Sequence, residues 1–120
     1  MMIAGDQNRL TQVLRNLVGN AVKYTPDGGQ IHIRIKSEDQ RAFVSIQDEG
    51  IGIPADALEN VFQRFYRAPN TSEYAISGFG IGLYVVKEIV TRHKGTIGVI
   101  STEGVGTTFT FSLPLLAAVA

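Results

Sequence analysis

Asn16, Asn20 and Lys23 stand four and then three residues apart in a stretch of helical character. At about 100° per residue the three fall within about 60° of one another and form one polar ridge. An amide oxygen suits Mg²⁺, which prefers oxygen donors and keeps several of its waters. A neighbouring lysine neutralises phosphate. Taken alone, this ridge is better explained as a solvated helix face. A second cluster is Asp48-Glu49-Gly50-Ile51-Gly52-Ile53. Asp48 continues the alternation of Ala42, Val44 and Ile46, which points its carboxylate at an apolar interior. A buried carboxylate needs hydrogen-bond donors. The exocyclic amine of adenine is one, and flanking glycines let a flat base approach the backbone. An ordinary Asp-Glu-Gly turn reads the same. Third, Gly78-Phe79-Gly80-Ile81-Gly82-Leu83 leads straight into a helical pattern. Alternating glycines at a helix N-terminus expose N–H groups to an anion. This run follows no strand, as a dinucleotide fingerprint must, and it lacks the Gly-Lys-Ser/Thr of a P-loop. The His-Arg-Asp and Asp-Phe-Gly motifs of protein kinases are absent too.

The elements that must position these residues follow from periodicity. Leu10, Val13, Leu14, Leu17, Val18, Ala21 and Val22 recur at spacings of three and four, which predicts a helix over about 6–24 with Asp6 as N-cap. Ile31, Ile33 and Ile35, then Ala42, Val44 and Ile46, alternate with polar partners on either side of the polar stretch 37–41. That predicts an antiparallel hairpin with a turn around Glu38-Asp39. Pro54 opens a second helix whose buried face is Leu58, Val61, Phe62 and Phe65. Residues 66–80 show no period, and a loop of that length reads as a functional lid. A third helix spans about 82–94 and stops at Gly95. Two strands, 96–102 and 107–113, flank Glu103-Gly104-Val105-Gly106. The order helix, hairpin, helix, lid, helix, hairpin excludes a doubly wound parallel sheet. It predicts an α+β two-layer sandwich, with a sheet covered on one face by about three helices.

Composition narrows the class. The 120 residues fit one domain, 1–120. Eleven basic and eleven acidic residues cancel, so no global field points to nucleic acid and an anion must be held locally. Without cysteine there is no disulfide framework and no thiolate metal site. The first six residues read as no signal peptide and no run approaches a membrane span, so no direct membrane contact is expected.

Together the clusters acquire a meaning none has alone. Asn16 to Thr25 resembles the N box of bacterial sensor histidine kinases, and Asp48-Glu49-Gly50-Ile51-Gly52 their first glycine box. Phe62 to Arg67 resembles the F box, Gly78 to Leu83 the second glycine box, and Gly106-Thr107-Thr108-Phe109 the third. The resemblance runs from Asp6 to Pro114. It implies the Bergerat ATP-binding fold, with a mixed, mostly antiparallel sheet, shared with gyrase, Hsp90 and MutL. It also implies that ATP and Mg²⁺ bind here and that the γ-phosphate passes to a histidine on a separate dimerisation hairpin of the parent kinase. A response regulator then follows indirectly, in a cytoplasmic setting. Residue by residue, Asn20 resembles the Mg²⁺ ligand and Asn16 the other N-box position. Lys23 and Tyr24 resemble residues facing the nucleotide, and Asp48 the adenine-reading carboxylate. Gly50, Gly52 and Ile53 line the base side in this scheme. Thr107 resembles the threonine that supports adenine through water, and Arg67 an arginine reaching the γ-phosphate. Gly78, Gly80, Gly82 and Leu83 resemble the phosphate cradle of a nucleotide lid over about 66–82.

Departures and alternatives complete the reading. Phe79 replaces a small residue, Lys94 replaces the first glycine of a His-Gly-Gly stretch, and an upstream strand is missing unless Met1–Gly5 forms a stub. His32 and His93 read as structural, with no acceptor-box context, and Arg41 carries no signal beyond a charged surface. A gyrase- or Hsp90-type ATPase is the main alternative. Those enzymes resemble this chain with a glutamate in place of Asn16, and an amide cannot accept a proton. A nucleotide-sensing module is the non-catalytic alternative, which the retained boxes oppose.

Overall fold

The computed structural model describes residues 2–26, 28–63 and 82–116. The first helix, α1 (Gln7–Tyr24), begins where expected, because the Asp6 carboxylate accepts from the Asn8 and Arg9 amides. Strands β1 (Ile31–Glu38) and β2 (Arg41–Asp48) form the first hairpin, and β3 (Thr96–Thr102) and β4 (Gly106–Pro114) the second. Helix α2 (Gly82–Arg92) lies between them in sequence. The sheet order is β1-β2-β4-β3, so the two hairpins join through β2 and β4. All three pairings among the described residues are antiparallel, in keeping with the mostly antiparallel sheet expected.

One face of the sheet meets the helices. Val13, Leu17 and Ala21 of α1 and Val86, Ile89 and Val90 of α2 pack on Ile46, Phe109, Phe111 and Leu113. The register aligns these rows, with Ile46 opposite Phe109 and Val44 opposite Phe111. The expected stripe is only partly covered: Leu14 and Val22 of α1 are exposed, as are Ile33 and Ile35 of β1. The helix packs over β2 and beside α2, while β1 is an outer strand beyond that cover.

Several local expectations are corrected. The hairpin turn is only Asp39 and Gln40, both at positive φ, so Glu38 belongs to β1 and pairs with Lys36 at 3.1 Å. The segment after Pro54 is a 3₁₀ helix (Ala55–Asn60) rather than an α-helix. Six residues form few i→i+4 bonds, and the tighter winding suits them. Its buried contacts come from Ala57 and Val61, while Phe62 meets Phe109 edge-on at 6.0 Å. Helix α2 ends two residues earlier than expected, and Lys94 rather than Gly95 takes the left-handed position, at φ 61°. Lys94 N–H donates to Thr91 O and Gly95 N–H to Val90 O, the paired bonds of a Schellman stop. Residues 2–5 form no strand, but Met2 O accepts from the Leu116 amide.

Candidate functional site

The buried polar groups gather at one end of the sheet. Asp48 closes β2, and its pairing partner Thr107 is the second residue of β4. Ser101 of β3 is opposite Thr107, so the three stand in one row on the helix-facing side. Asp48 and Thr107 are buried, and within a sheet end every such group needs a partner. Asp48 Oδ1 accepts from the Gly50 amide at 2.8 Å and from the Thr107 amide at 3.1 Å. Oδ2 has no partner among the described residues. Burial raises the Asp48 pKa above its ordinary 3.8, and the Gly50 and Thr107 amides partly offset that by stabilising the charge.

The turn after Asp48 is bolted from several sides. Ile51 N–H donates to Tyr24 O at the end of α1, and Gly104 N–H donates to Ile51 O. A Cβ on Gly50 would stand 2.5 Å from Tyr24 O and 2.8 Å from Asp48 Oδ1. Gly52 is at φ 72° and abuts the Thr102–Glu103 backbone. Both positions therefore require glycine. The Glu49 carboxylate accepts from the Gln30 amide at 2.8 Å, tying the turn to the segment that follows α1. Ile53 N–H donates to Ser101 Oγ at 2.8 Å.

The polar ridge of α1 is built differently. Asn16 Nδ2 donates to Gly82 O at 3.3 Å, linking α1 to the first residue of α2. The Asn20 side chain is half-buried and makes no hydrogen bond to the described residues. Lys23 Nζ is 5.3 Å from the Tyr24 ring centre. Gly82 and Leu83 open α2, half-buried. The structure thus joins Asp48, Gly50 and Thr107 directly, Tyr24 to Ile51 beside Gly50, Ile53 to Thr107 through Ser101, and Asn16 to Gly82. Arg67, Gly78 and Gly80, with Arg64, Phe65, Phe79 and most of the expected lid, lie outside the described residues.

Sequence reading passed over Ser101. Ser101 follows Ile97 and Val99 on the buried face of β3, and a hydroxyl interrupting that alternation is the available signal. His93 accepts the Asp6 N–H at Nε2, 3.0 Å away, and donates from Nδ1 to Ile89 O at 2.8 Å. It fastens the start of α1 to the end of α2, a structural part as expected. His32 is exposed on the outer sheet face, and Arg41, which carried no signal, clasps Ser112 and Lys94 O.

Among the described residues no group of three or more His, Cys, Asp or Glu side chains could hold a metal ion. No helix among them is long and apolar enough to cross a membrane. An open depression of about 260 Å³ runs over Gln47, Ile100, Val105 and Thr108 beside Asp48 and Thr107. It opens largely on the outer sheet face, away from the α1 ridge.

Residues 5–117 match the family described as histidine kinase-, DNA gyrase B-, and HSP90-like ATPase. The sensor histidine kinase WalK of Bacillus subtilis is 46% identical over 111 residues, covering 91% of this chain and 18% of that protein. The sensor-like histidine kinase SenX3 of Mycobacterium tuberculosis is 40% identical over 116 residues, covering 97% of this chain and 28% of the other. The chain therefore spans well under a third of these relatives. Among solved structures, the mycobacterial sensor histidine kinase MprB superposes with a TM-score of 0.85 at 32% identity, covering 93% of this chain and 76% of that one. Full-length ShkA in complex with AMPPNP gives 0.81 at 33% identity, over 98% of this chain and 24% of ShkA.

Proposed function

This chain belongs to the histidine kinase-, DNA gyrase B-, and HSP90-like ATPase family as an ATP-binding catalytic domain of the sensor histidine kinase type, and from that premise we propose that it presents Mg²⁺-ATP to a histidine on a separate dimerisation hairpin of its parent kinase. The observation that carries this reading is Asp48. One carboxylate oxygen is held by two backbone amides while the other has no partner among the described residues at a desolvated sheet end. Such an acceptor fits the exocyclic amine of adenine and mismatches the carbonyl of guanine. Gly50, Gly52 and Ile53 shape the base side, and Thr107 supports it through its hydroxyl.

The Asn16–Asn20–Lys23–Tyr24 end of α1 takes the phosphates. A single amide donor, without a carboxylate cluster among the described residues, fits a cation that arrives with the nucleotide rather than a resident metal. When bound, Mg²⁺ neutralises phosphate charge; Asn20 is the residue that would hold it. Asn16 keeps α2 in register with α1, and Arg67, Gly78, Gly80, Gly82 and Leu83 complete the phosphate side. Phosphoryl transfer is mainly positioning and charge stabilisation, so the acceptor histidine must be brought in line by another domain. Asn16 offers no base to activate water, which separates this chain from self-sufficient ATPases. ATP as donor fits a cytoplasmic setting, and a response regulator is the indirect downstream partner.

Titration with a non-hydrolysable ATP analogue, with and without Mg²⁺, and then with its guanine counterpart, tests the site. Equal affinity for the two bases would remove the Asp48 reading. Radiolabelled ATP should leave the isolated chain unlabelled and label an added histidine-bearing hairpin. Stable label on His32 or His93 would contradict transfer to a separate domain.

A further inference from the structure

Ser101 is one hydroxyl with three neighbours. Ile53 N is 2.8 Å away, Gly106 O 2.9 Å and Thr107 Oγ1 2.8 Å. A hydroxyl has one proton and two lone pairs. Ile53 N–H can only donate and Gly106 O can only accept. Ser101 therefore gives its proton to Gly106 O and takes the Ile53 N–H on one lone pair. The second lone pair is left for the proton of Thr107. Thr107 is thereby fixed as a donor to Ser101, with its own lone pairs left over.

Thr107 is the cross-strand partner of Asp48, so the two side chains share one sheet face, and the Thr107 backbone N–H already donates to the carboxylate. A threonine hydroxyl free to rotate beside a buried carboxylate donates to it, the stronger charge-assisted bond. The proton would then occupy the acceptor that a ligand needs. With the proton held by Ser101, Asp48 and Thr107 both present lone pairs.

We propose that Ser101 is a positioning residue for base recognition: it keeps the Thr107 hydroxyl turned as an acceptor, so that the site selects a 6-amino purine over a 6-oxo purine. The inference rests on the nucleotide-binding reading above and adds a determinant to it. A 6-amino group has two hydrogens, one for the carboxylate and one for the hydroxyl or a water on it. A 6-oxo group meets two acceptors.

The test compares binding of ATP and inosine triphosphate, which differ at this edge of the base, by calorimetry. The variants are Ser101→Ala, Ser101→Cys and Ser101→Thr, each with its thermal midpoint. Loss of one neutral hydrogen bond's discrimination corresponds to roughly a five- to tenfold change. Ser101→Ala should narrow the ATP-to-inosine-triphosphate affinity ratio by that much. Ser101→Cys, nearly the same size but a weak hydrogen-bonding partner, should do the same if the alanine variant folds poorly. Ser101→Thr retains the hydroxyl and should restore the ratio. An unchanged ratio in the alanine and cysteine variants overturns the proposal, as does an equal loss for both nucleotides, which would make Ser101 a strand staple only. Failure of the wild-type chain to bind either nucleotide would instead sink the nucleotide-binding reading itself.

Discussion

The strand-end cluster and the α1 ridge carry the same kind of side chain in opposite states. At the strand end, Asp48, Thr107, Ser101 and the Gly50–Ile53 turn are cross-linked by hydrogen bonds from three strands and from the end of α1. On the ridge, half-buried Asn16 has one long bond to Gly82 O and Asn20 none among the described residues. The difference follows from solvent. A buried polar group left unpaired costs about 1–3 kcal/mol, so the strand end had to be completed by the protein itself. A half-exposed amide is satisfied by water and can exchange that water for a ligand at little cost. One region is built before any ligand arrives; the other is left for the ligand to organise.

The sharpest way to break this contrast is Gly52→Ala. A side chain there must accept φ 72° and push against the Thr102–Glu103 backbone. Strain and overpacking together should cost about 2–4 kcal/mol, read by urea denaturation. A loss below about 0.5 kcal/mol would mean that the turn is not rigid.

Asp48→Asn separates building from binding. Asparagine still accepts the Gly50 and Thr107 amides but brings no buried charge, so the thermal midpoint at pH 7 should be unchanged or higher. Affinity for ATP should fall by about 1–3 kcal/mol, with loss of the preference over GTP. The pH dependence has a definite sign. Because the native Asp48 pKa is raised above 3.8, the folded chain holds a proton that the unfolded chain has released. The Asp48 contribution therefore falls as pH rises through the interval between those two values. Subtracting the Asp48→Asn curve from the wild-type curve should isolate that decline. A midpoint lowered by the substitution would recast Asp48 as a structural anchor.

Asn20→Ala probes the unbuilt region. Stability should move by less than about 0.5 kcal/mol, as for a half-exposed side chain with no partner among the described residues. Binding of ATP should lose its Mg²⁺ dependence while metal-free ADP binding is nearly unchanged. Calorimetry showing the same Mg²⁺ linkage in the variant would take Asn20 out of the metal role.

Sequence reading resolved these two regions unequally. Alternation placed Asp48 on the buried face and helical spacing grouped Asn16 with Asn20, because both rest on local periods of two and 3.6 residues. The hairpins and α1 followed for the same reason. The role of Ser101 was not legible, because it depends on which residues of β3 and β4 fall opposite each other and on where Ile53 returns. That is register and loop closure, which no local period encodes. The 3₁₀ winding after Pro54 was misread because Leu58, Val61 and Phe62 mimic a helical stripe; Val61 and Phe62 do pack inward, but Ala57 is buried where Leu58 is only half-buried. Lys94 was noticed as a departure, but its left-handed backbone shows only in the fold.

The smallest expected effect is also the cleanest control on the comparison, because α2 touches the ridge through Gly82 and is stopped at its far end by Lys94. Lys94 sits at φ 61° and closes the helix with its N–H on Thr91 O. A left-handed residue with a Cβ is strained by about 1–2 kcal/mol relative to glycine, and the opposing gain in unfolded-state entropy for glycine is only about 0.4–1 kcal/mol. Lys94 is exposed, and its backbone carbonyl, which Arg41 clasps, is kept by any substitution. Lys94→Gly should therefore raise stability by about 0.5–1 kcal/mol, measured by urea denaturation, with ATP affinity unchanged. If affinity rises together with stability, then tightening the far end of α2 reaches Asn16 through Gly82, and the ridge is less independent of the scaffold than its sparse bonding implies. If stability falls, the Schellman stop depends on the lysine side chain and the backbone account of this helix end is wrong.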